Sequence, residues 1–526
     1  MTRVVSRSFR RWAILVALCS CAVAVVTSAQ PDPLQQAADH IRAERWTSAI
    51  EVLQATLERS PDEVRALNLL GIALSSSGRR EEAHAQFAKA VALAPTFHPA
   101  LKNLAVNEMS LGRVDEAVAH FRELLKAVPD DRVAHLVLAE AAFDADDFQA
   151  AVEHYEQSHV FERGDPALVL KLARSYQRAG RPEEAVSALA RVPTGDPSID
   201  QEAARLLVEM EAFAAAAARF ESVLAASPDN YDVGFNLALA RLRGERPGAA
   251  VRALQDLVER GHRTAELYNL LSRAYEATGE TKQAYDALRA AIKVDPTGET
   301  HYVDLIALCL DHENLELAQE IADIGVAALP RSARLHRQRG IVMAMKGEFP
   351  AAQASFDAAA TLSPDDGLSY VALGLVYLQM GRTPEAVATL RDRRRRSPED
   401  ALASWFLGEA LYRSGAQPGS REEAEALQAL NSAVGLQPDL LQAHLLLAKM
   451  LQRGGRLDRA LEHLKRALAL DPDNASTSYQ LAQIYRRQGK TREANELFAK
   501  VRDMKADDRD ELTRSGLLRI VREGRR

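Results

Sequence analysis

The chain is 526 residues long, with 47% hydrophobic and 26% charged residues, 6% aromatics and a formal net charge of −7. A mildly acidic balance of this kind excludes nucleic-acid binding by bulk charge. Ala, Leu, Arg and Glu dominate, and prolines and glycines are spaced rather than clustered, which suits a soluble helical array.

Residues 1–29 stand apart. Arg3, Arg7, Arg10 and Arg11 make a positive start without an acid, Trp12 to Val26 is apolar, and Thr27, Ser28 and Ala29 offer a small-residue cleavage site. That order is the order of a secretory signal peptide. The apolar run of about 15 residues is short for a membrane-spanning helix, so an uncleaved anchor is the lesser alternative. Lipidation is a third: Leu18-Cys19-Ser20-Cys21 loosely resembles a bacterial lipoprotein cleavage site with Cys21 as the lipidated residue, although a Cys two places earlier is atypical. The Ala- and Arg-rich composition points to a bacterium of high genomic GC content, and hence to the periplasm or cell surface. Removing the segment takes away four Arg and no acid, moving the net charge from −7 to −11. Only Cys309 then remains, so no intramolecular disulfide is expected.

From Pro33 the chain repeats. The clearest unit runs from Ala66 to Pro95 in two amphipathic halves. Leu67, Leu70, Gly71 and Leu74 recur at helical spacing in the first, and Ala83, Phe87, Ala90 and Val91 in the second. Gly71, Ala83 and Ala90 are small, so the two helices can approach. Gly78 supplies the left-handed residue after the first helix, Glu81 and Glu82 favour the start of the second, and Pro95 ends it. Pro95, Pro129, Pro296, Pro330, Pro364 and Pro398 keep a 34-residue step in two runs, and the small residue of the second helix is Ala fourteen times, from Ala49 to Ala494.

A 34-residue period with this pattern resembles the tetratricopeptide repeat (TPR) over about Pro33 to Ala506. The resemblance implies an all-α, right-handed superhelical solenoid of about fourteen helix-turn-helix units, each held by its neighbours. The expected organisation is a signal peptide at 1–29, an N-terminal block of about five repeats at 30–197, a C-terminal block of about nine at 198–506, and a capping helix with a basic tail at 507–526. The first repeat, with Gln36 and Ala37 in place of Leu-Gly, reads as a cap. Repeat six, Ser198 to Pro228, is three residues short and follows the turn-rich Val192–Pro197, which is either a hinge between blocks or a tolerated loop variation. Six extra residues within Arg413 to Glu423 should project between the helices of repeat twelve. Asp146, Glu211, Glu245 and Glu313 stand where the inter-helix Gly is usual, each at some cost in a left-handed turn.

No catalytic constellation emerges, and no enzyme activity, cofactor or metal is expected. Gly489-Lys490-Thr491 ends like a phosphate loop, but Ile484 stands where the first Gly is needed. The thirteen His form no HExxH and no Cys/His pair at ligand spacing; His98, His135 and His301 read as partly exposed. Cys309 reads as a packed thiol, and Glu183-Glu184 as helix capping. The run Arg391 to Arg396 is either a solvated face or an anion-binding patch.

What remains is surface. In TPR proteins the first helices line the concave face. Carrying the family's groove positions across by register gives Arg174, Gln177 and Arg178 in repeat five, and an apolar strip of Leu368, Val371, Leu375 and Leu378 in repeat eleven. Trp405 and Tyr412 follow in repeat twelve, then Lys449, Gln452, Arg453, Tyr479, Arg486 and Arg487 in the last two. Trp, Tyr and Arg are common hot-spot residues, so these are the candidate partner-binding residues. Two family-specific patterns fail: Asn68 and Ile72 do not reproduce the carboxylate clamp of chaperone-binding TPR domains, and only Asn103 and Asn236 fit an asparagine ladder. The expected function is a non-catalytic scaffold for a protein or peptide partner, without nucleic acid, and with membrane only through lipidation or an uncleaved anchor. The alternatives are an envelope-anchored accessory subunit of a polysaccharide export, pilus or outer-membrane assembly machine, and a non-catalytic partner of a separately encoded enzyme.

Overall fold

A computed structural model describes residues 32–503. The N-terminal segment 1–29 with Cys21, and the tail from Asp507, lie outside the described residues. Within them the chain forms twenty-eight α-helices and no strand. The fold is an all-α solenoid of helix-turn-helix pairs. In chain order the first pairs are α1 (Pro33–Arg42) with α2 (Trp46–Arg59), α3 (Val64–Ser76) with α4 (Arg80–Leu93), α5 (His98–Leu111) with α6 (Val114–Ala127), and α7 (Arg132–Asp144) with α8 (Phe148–Gln157). Next come α9 (Pro166–Arg178) with α10 (Pro182–Ala190), α11 (Pro197–Glu209) with α12 (Phe213–Ala226), and α13 (Tyr231–Arg243) with α14 (Pro247–Glu259). The second half has α15 (Ala265–Thr278) with α16 (Thr281–Val294), α17 (Glu299–Asp311) with α18 (Leu315–Ala328), α19 (Ala333–Met345) with α20 (Phe349–Leu362), and α21 (Gly367–Gln379) with α22 (Thr383–Arg396). It closes with α23 (Ala401–Arg413) and α24 (Arg421–Leu436), α25 (Leu441–Arg453) and α26 (Leu457–Leu470), and α27 (Ala475–Arg487) and α28 (Thr491–Asp503).

Two compact units divide the chain, one ending at Ala253 and the other beginning at Leu254. The division falls within α14.

Each pair is built by the same contacts. All fourteen register alanines, from Ala49 to Ala494, are 0–1% exposed, because the first helix of the pair lies directly against them. Gly71 shows why a small residue is needed opposite: a Cβ there would sit 2.5 Å from Cε1 of Phe87. First helices open on side-chain caps, with Asp131, Asp165, Asp196, Asn230, Thr264, Ser332, Asp400 and Asn474 accepting from backbone amides one turn in. In the N-terminal unit the described core residues form neighbouring clusters, such as those around Phe87, Phe121 and Tyr155.

The inter-helix turns need a left-handed residue, and Asp146, Glu211, Glu245 and Glu313 supply it at φ between 57° and 59°. The three residues missing near repeat six trace to the fifth pair, where α10 has 9 residues against 14 in most second helices and the linker 191–196 that follows it is longer than the usual one, such as 94–97. Both helices of the sixth pair are full length. The extra residues of repeat twelve lie partly between its helices and partly in α24, which has 16 residues where most second helices have 14; buried Glu423 in the first turn of α24 accepts from the Gly419 amide at 2.7 Å and pairs with Arg456.

Candidate functional site

The first helices carry the residues expected to meet a partner, and the structure sorts them into three groups. In the first group Val371, Leu375 and Leu378 are 0, 3 and 6% exposed, and Trp405 is 2% exposed. The apolar strip expected on α21 is thus not an accessible surface. The physical reason is that α21 packs directly on α23, so adjacent first helices consume each other's apolar sides. Trp405 is spent on Phe406, stacked at 4.2 Å between ring centroids. Leu368 at the start of α21 is half-buried.

The second group lies in the N-terminal unit, where Lys102, Lys171 and Arg174 are paired with carboxylates and Arg178 is not in an ion pair among the described residues. Arg174 is exposed but pairs with Glu202 of the next repeat, and Gln177 donates to Glu209 at 2.7 Å. Lys102 pairs with Asp131 at 2.7 Å, and Lys171 pairs with Glu140. Asn103 donates to Asn68 at 2.8 Å. Arg178 lies 5.3 Å over the ring of Phe148.

The third group, on α23, α25 and α27, differs. The ring of Tyr412 has two cations over it, Lys449 Nζ at 4.9 Å and the Arg453 guanidinium at 5.3 Å. Tyr479 is 47% exposed and meets Phe498 of α28 edge-on at 5.6 Å, while Arg486 stands 5.5 Å from the same Phe498 ring. Lys449, Arg453, Arg486 and Arg487 are all exposed, and among the described residues none is in an ion pair. Aromatic rings beside unneutralised cations present both apolar area and positive charge.

The arginine run on α22 is not comparable. Arg391 forms a bidentate pair with Glu425 at 2.7 and 2.8 Å, Arg393 pairs with Asp400 at 3.0 Å, Arg394 donates to Ser432, and Arg395 and Arg396 share Asp392. Cys309 is buried, and burial pushes its thiol pKa up to about 11, which makes it a packing residue.

His135 and His301 are buried rather than partly exposed. His135 and His154 meet Nδ1 to Nδ1 at 2.9 Å, and His444 and His463 repeat that arrangement at 3.1 Å in the other unit. His84, Glu108, Glu116 and His120 also converge from α4, α5 and α6, which their positions in the sequence do not reveal beyond the i, i+4 spacing of Glu116 and His120. Among the described residues, no helix is long and apolar enough to cross a membrane.

Three family models described as tetratricopeptide repeat match the chain. One matches residues 34–96, 103–165, 371–425 and 424–475, another 142–210, 207–274 and 451–513, and the third 265–297. Among curated proteins, a peroxisomal targeting signal receptor of Eremothecium gossypii is 36% identical over 96 residues, which is 18% of this chain and 16% of that protein. The corresponding receptor of Kluyveromyces lactis is 38% identical over 74 residues, 14% of this chain and 13% of that protein. The chain thus spans about one sixth of the length of the curated relatives it matches. Among solved structures, yeast Tom70 aligns over 82% of this chain and 96% of its own at 17% identity, with a TM-score of 0.39.

Proposed function

The chain belongs to the tetratricopeptide-repeat family and is a protein–protein interaction scaffold, and from that premise we propose that it docks an acidic peptide segment of a partner protein. The segment lies along α23, α25 and α27. The observation that carries this reading is the set of exposed cations, Lys449, Arg453 and Arg486, standing over Tyr412 and Phe498 with no carboxylate to neutralise them among the described residues. On the first helices of the N-terminal unit Lys102, Lys171 and Arg174 are paired with carboxylates, whereas Arg178 stands over the Phe148 ring without one among the described residues. Aromatic area supplies affinity, and unpaired cations supply selection for acidic sequence and a fast encounter. That curated relatives are named receptors for a targeting signal supports a peptide ligand; the ligand of this chain is part of the proposal.

The charge pattern of residues 1–29 supports export, to the periplasm or cell surface, with Cys21 as the point of membrane attachment if the chain is lipidated. The mass of the mature N-terminus separates the two: Gln30 makes it a free scaffold, and lipidated Cys21 makes it an anchored assembly subunit.

The docking reading is tested by capture from the envelope fraction of the source cells, with the wild-type chain and a Lys449→Glu/Arg453→Glu variant as baits. Wild type is expected to retain a partner that elutes in high salt, and the variant to lose at least tenfold of it. Equal capture by both baits overturns this placement.

A further inference from the structure

We propose that His84, Glu108 and Glu116 form a binding site for one divalent transition-metal cation, Zn2+ being the ion the donor set suits, and that His120 is a positioning residue for Glu108. Glu108 on α5 is only 1% exposed. His84 Nε2 of α4 lies 3.2 Å from its Oε1, and His120 Nδ1 of α6 lies 2.8 Å from its Oε2. No Lys or Arg pairs with it among the described residues. A carboxylate taken out of water needs a compensating charge. Glu116, one helical turn before His120, completes the set. One ligating atom each of His84, Glu108 and Glu116 lies within 4.8 Å of the others.

The donor chemistry selects the ion. One imidazole and two carboxylates suit Zn2+ and its first-row neighbours, whereas Mg2+ and Ca2+ take oxygen almost exclusively. Tetrahedral coordination at about 2.0–2.2 Å needs ligand atoms about 3.3 Å apart, so the three must draw together by up to about 1.5 Å. Glu116 is exposed and can make that movement, and its side of the cluster gives the ion a path from solvent. His120, hydrogen-bonded to the other oxygen of Glu108, fixes the carboxylate as outer-shell partners of metal ligands do. The ligands come from α4, α5 and α6, so a bound ion would clamp the second repeat to the third. The face involved belongs to the N-terminal unit and shares no residue with α23, α25 and α27.

The test uses the full chain without a histidine tag, stripped with chelator and titrated with Zn2+ by calorimetry and with Co2+ by visible absorption. One saturable event per chain is expected, with the d–d bands of low-coordinate Co2+, a rise in melting temperature with Zn2+, and no displacement by excess Mg2+. Glu116→Gln and His84→Gln should each weaken binding at least tenfold, and His120→Gln by about 10–100-fold. The double variant His84→Gln/Glu116→Gln, with unchanged helical circular dichroism, should lose the event. No saturable binding, or binding by the folded double variant equal to wild type, overturns the proposal.

Discussion

Arg219 on α12 pairs with Asp200 on α11 at 2.7 Å, and both side chains are buried. The same guanidinium donates to the carbonyls of Leu189 and Val192, each at 2.6 Å, and to that of Pro193 at 3.3 Å. The far oxygen of Asp200 accepts from the Gly195 amide at 2.8 Å and the Ser222 hydroxyl at 2.6 Å. One arginine thereby ties the turn-rich segment after α10 onto the sixth pair, which argues for an anchored loop there rather than a hinge. Removing one member of a buried pair costs about 3–5 kcal/mol. Arg219→Met is expected to lower stability by that order and to speed hydrogen exchange at the Gly195 amide above the rest of the unit. Unchanged exchange at Gly195 would leave the hinge reading standing.

The acid side of this network has a defined sign. Burial works against the charge on Asp200, but the Gly195 amide, the Ser222 hydroxyl and Arg219 outweigh it and hold its pKa below the usual carboxylate range. Its contribution to stability is present above the unfolded value near 3.8 and is lost as pH falls through the lower folded value. A denaturation series from pH 5 to pH 2 should show this loss in wild type and a smaller one in Asp200→Asn.

The two histidine doublets predict an earlier acid response. His135 Nε2 meets the Pro129 carbonyl at 2.7 Å, and His444 Nε2 meets that of Pro438 at 3.2 Å. Each Nε2–H therefore donates there, which leaves Nδ1 to accept from His154 or His463. Burial, then His135 and Arg122, lower the pKa of His154 against the raising effect of Glu153 and Asp147. Burial, then His444 and Arg459, lower that of His463 against Glu462. His444 is lowered by burial and Arg466 against the Pro438 carbonyl. All three are held neutral by the fold, so their stabilisation is complete above about pH 6.5 and falls away below it. Protection factors in α7 and α25, which are corrected for the intrinsic exchange rate, should fall between pH 7.5 and pH 5.5, and His154→Gln should remove most of the change in α7.

Gly71 and Phe87 make a packing prediction. A Cβ at Gly71 would fall 2.5 Å from the Phe87 ring, so ring or helix must shift to admit it. Gly71→Ala is expected to cost about 1–3 kcal/mol, with Phe87→Leu restoring part of it in the double variant. Additive losses would mean the two helices can separate freely.

Glu211 holds a left-handed turn at φ 58°. The conformation costs a side-chain-bearing residue about 1–2 kcal/mol, and glycine returns about 0.5–1 kcal/mol in unfolded-chain entropy. Glu211→Gly should therefore stabilise the N-terminal unit by up to about 1 kcal/mol, seen as a higher denaturation midpoint.

These particulars show what a repeat sequence makes readable. The register alanines, the acids in left-handed turns, the insertion of repeat twelve and the packing of Cys309 all follow from position within a unit, because each unit meets its neighbours in one way. Val371, Leu375, Leu378 and Trp405 did not follow. A groove position is defined by one helix, whereas its exposure depends on how closely the next first helix approaches. Arg219 with Asp200, and Glu108 with its histidines, were hidden for a related reason. Their partners are 19 residues apart in the first case and 12 and 24 in the second, and the helix-turn geometry alone brings them together.

The partner is proposed to lie on the first helices of the last three repeats. This placement is tested most directly by photo-crosslinking in the source cells, with a photoreactive phenylalanine analogue placed at Tyr479 or, on the second helix α24, at Leu436; both positions are 47% exposed. Crosslinks are expected from Tyr479 to an acidic segment of one protein, abolished by Lys449→Glu/Arg453→Glu, and none to that protein from Leu436. Crosslinks to the partner from Leu436 and none from Tyr479 would contradict the placement.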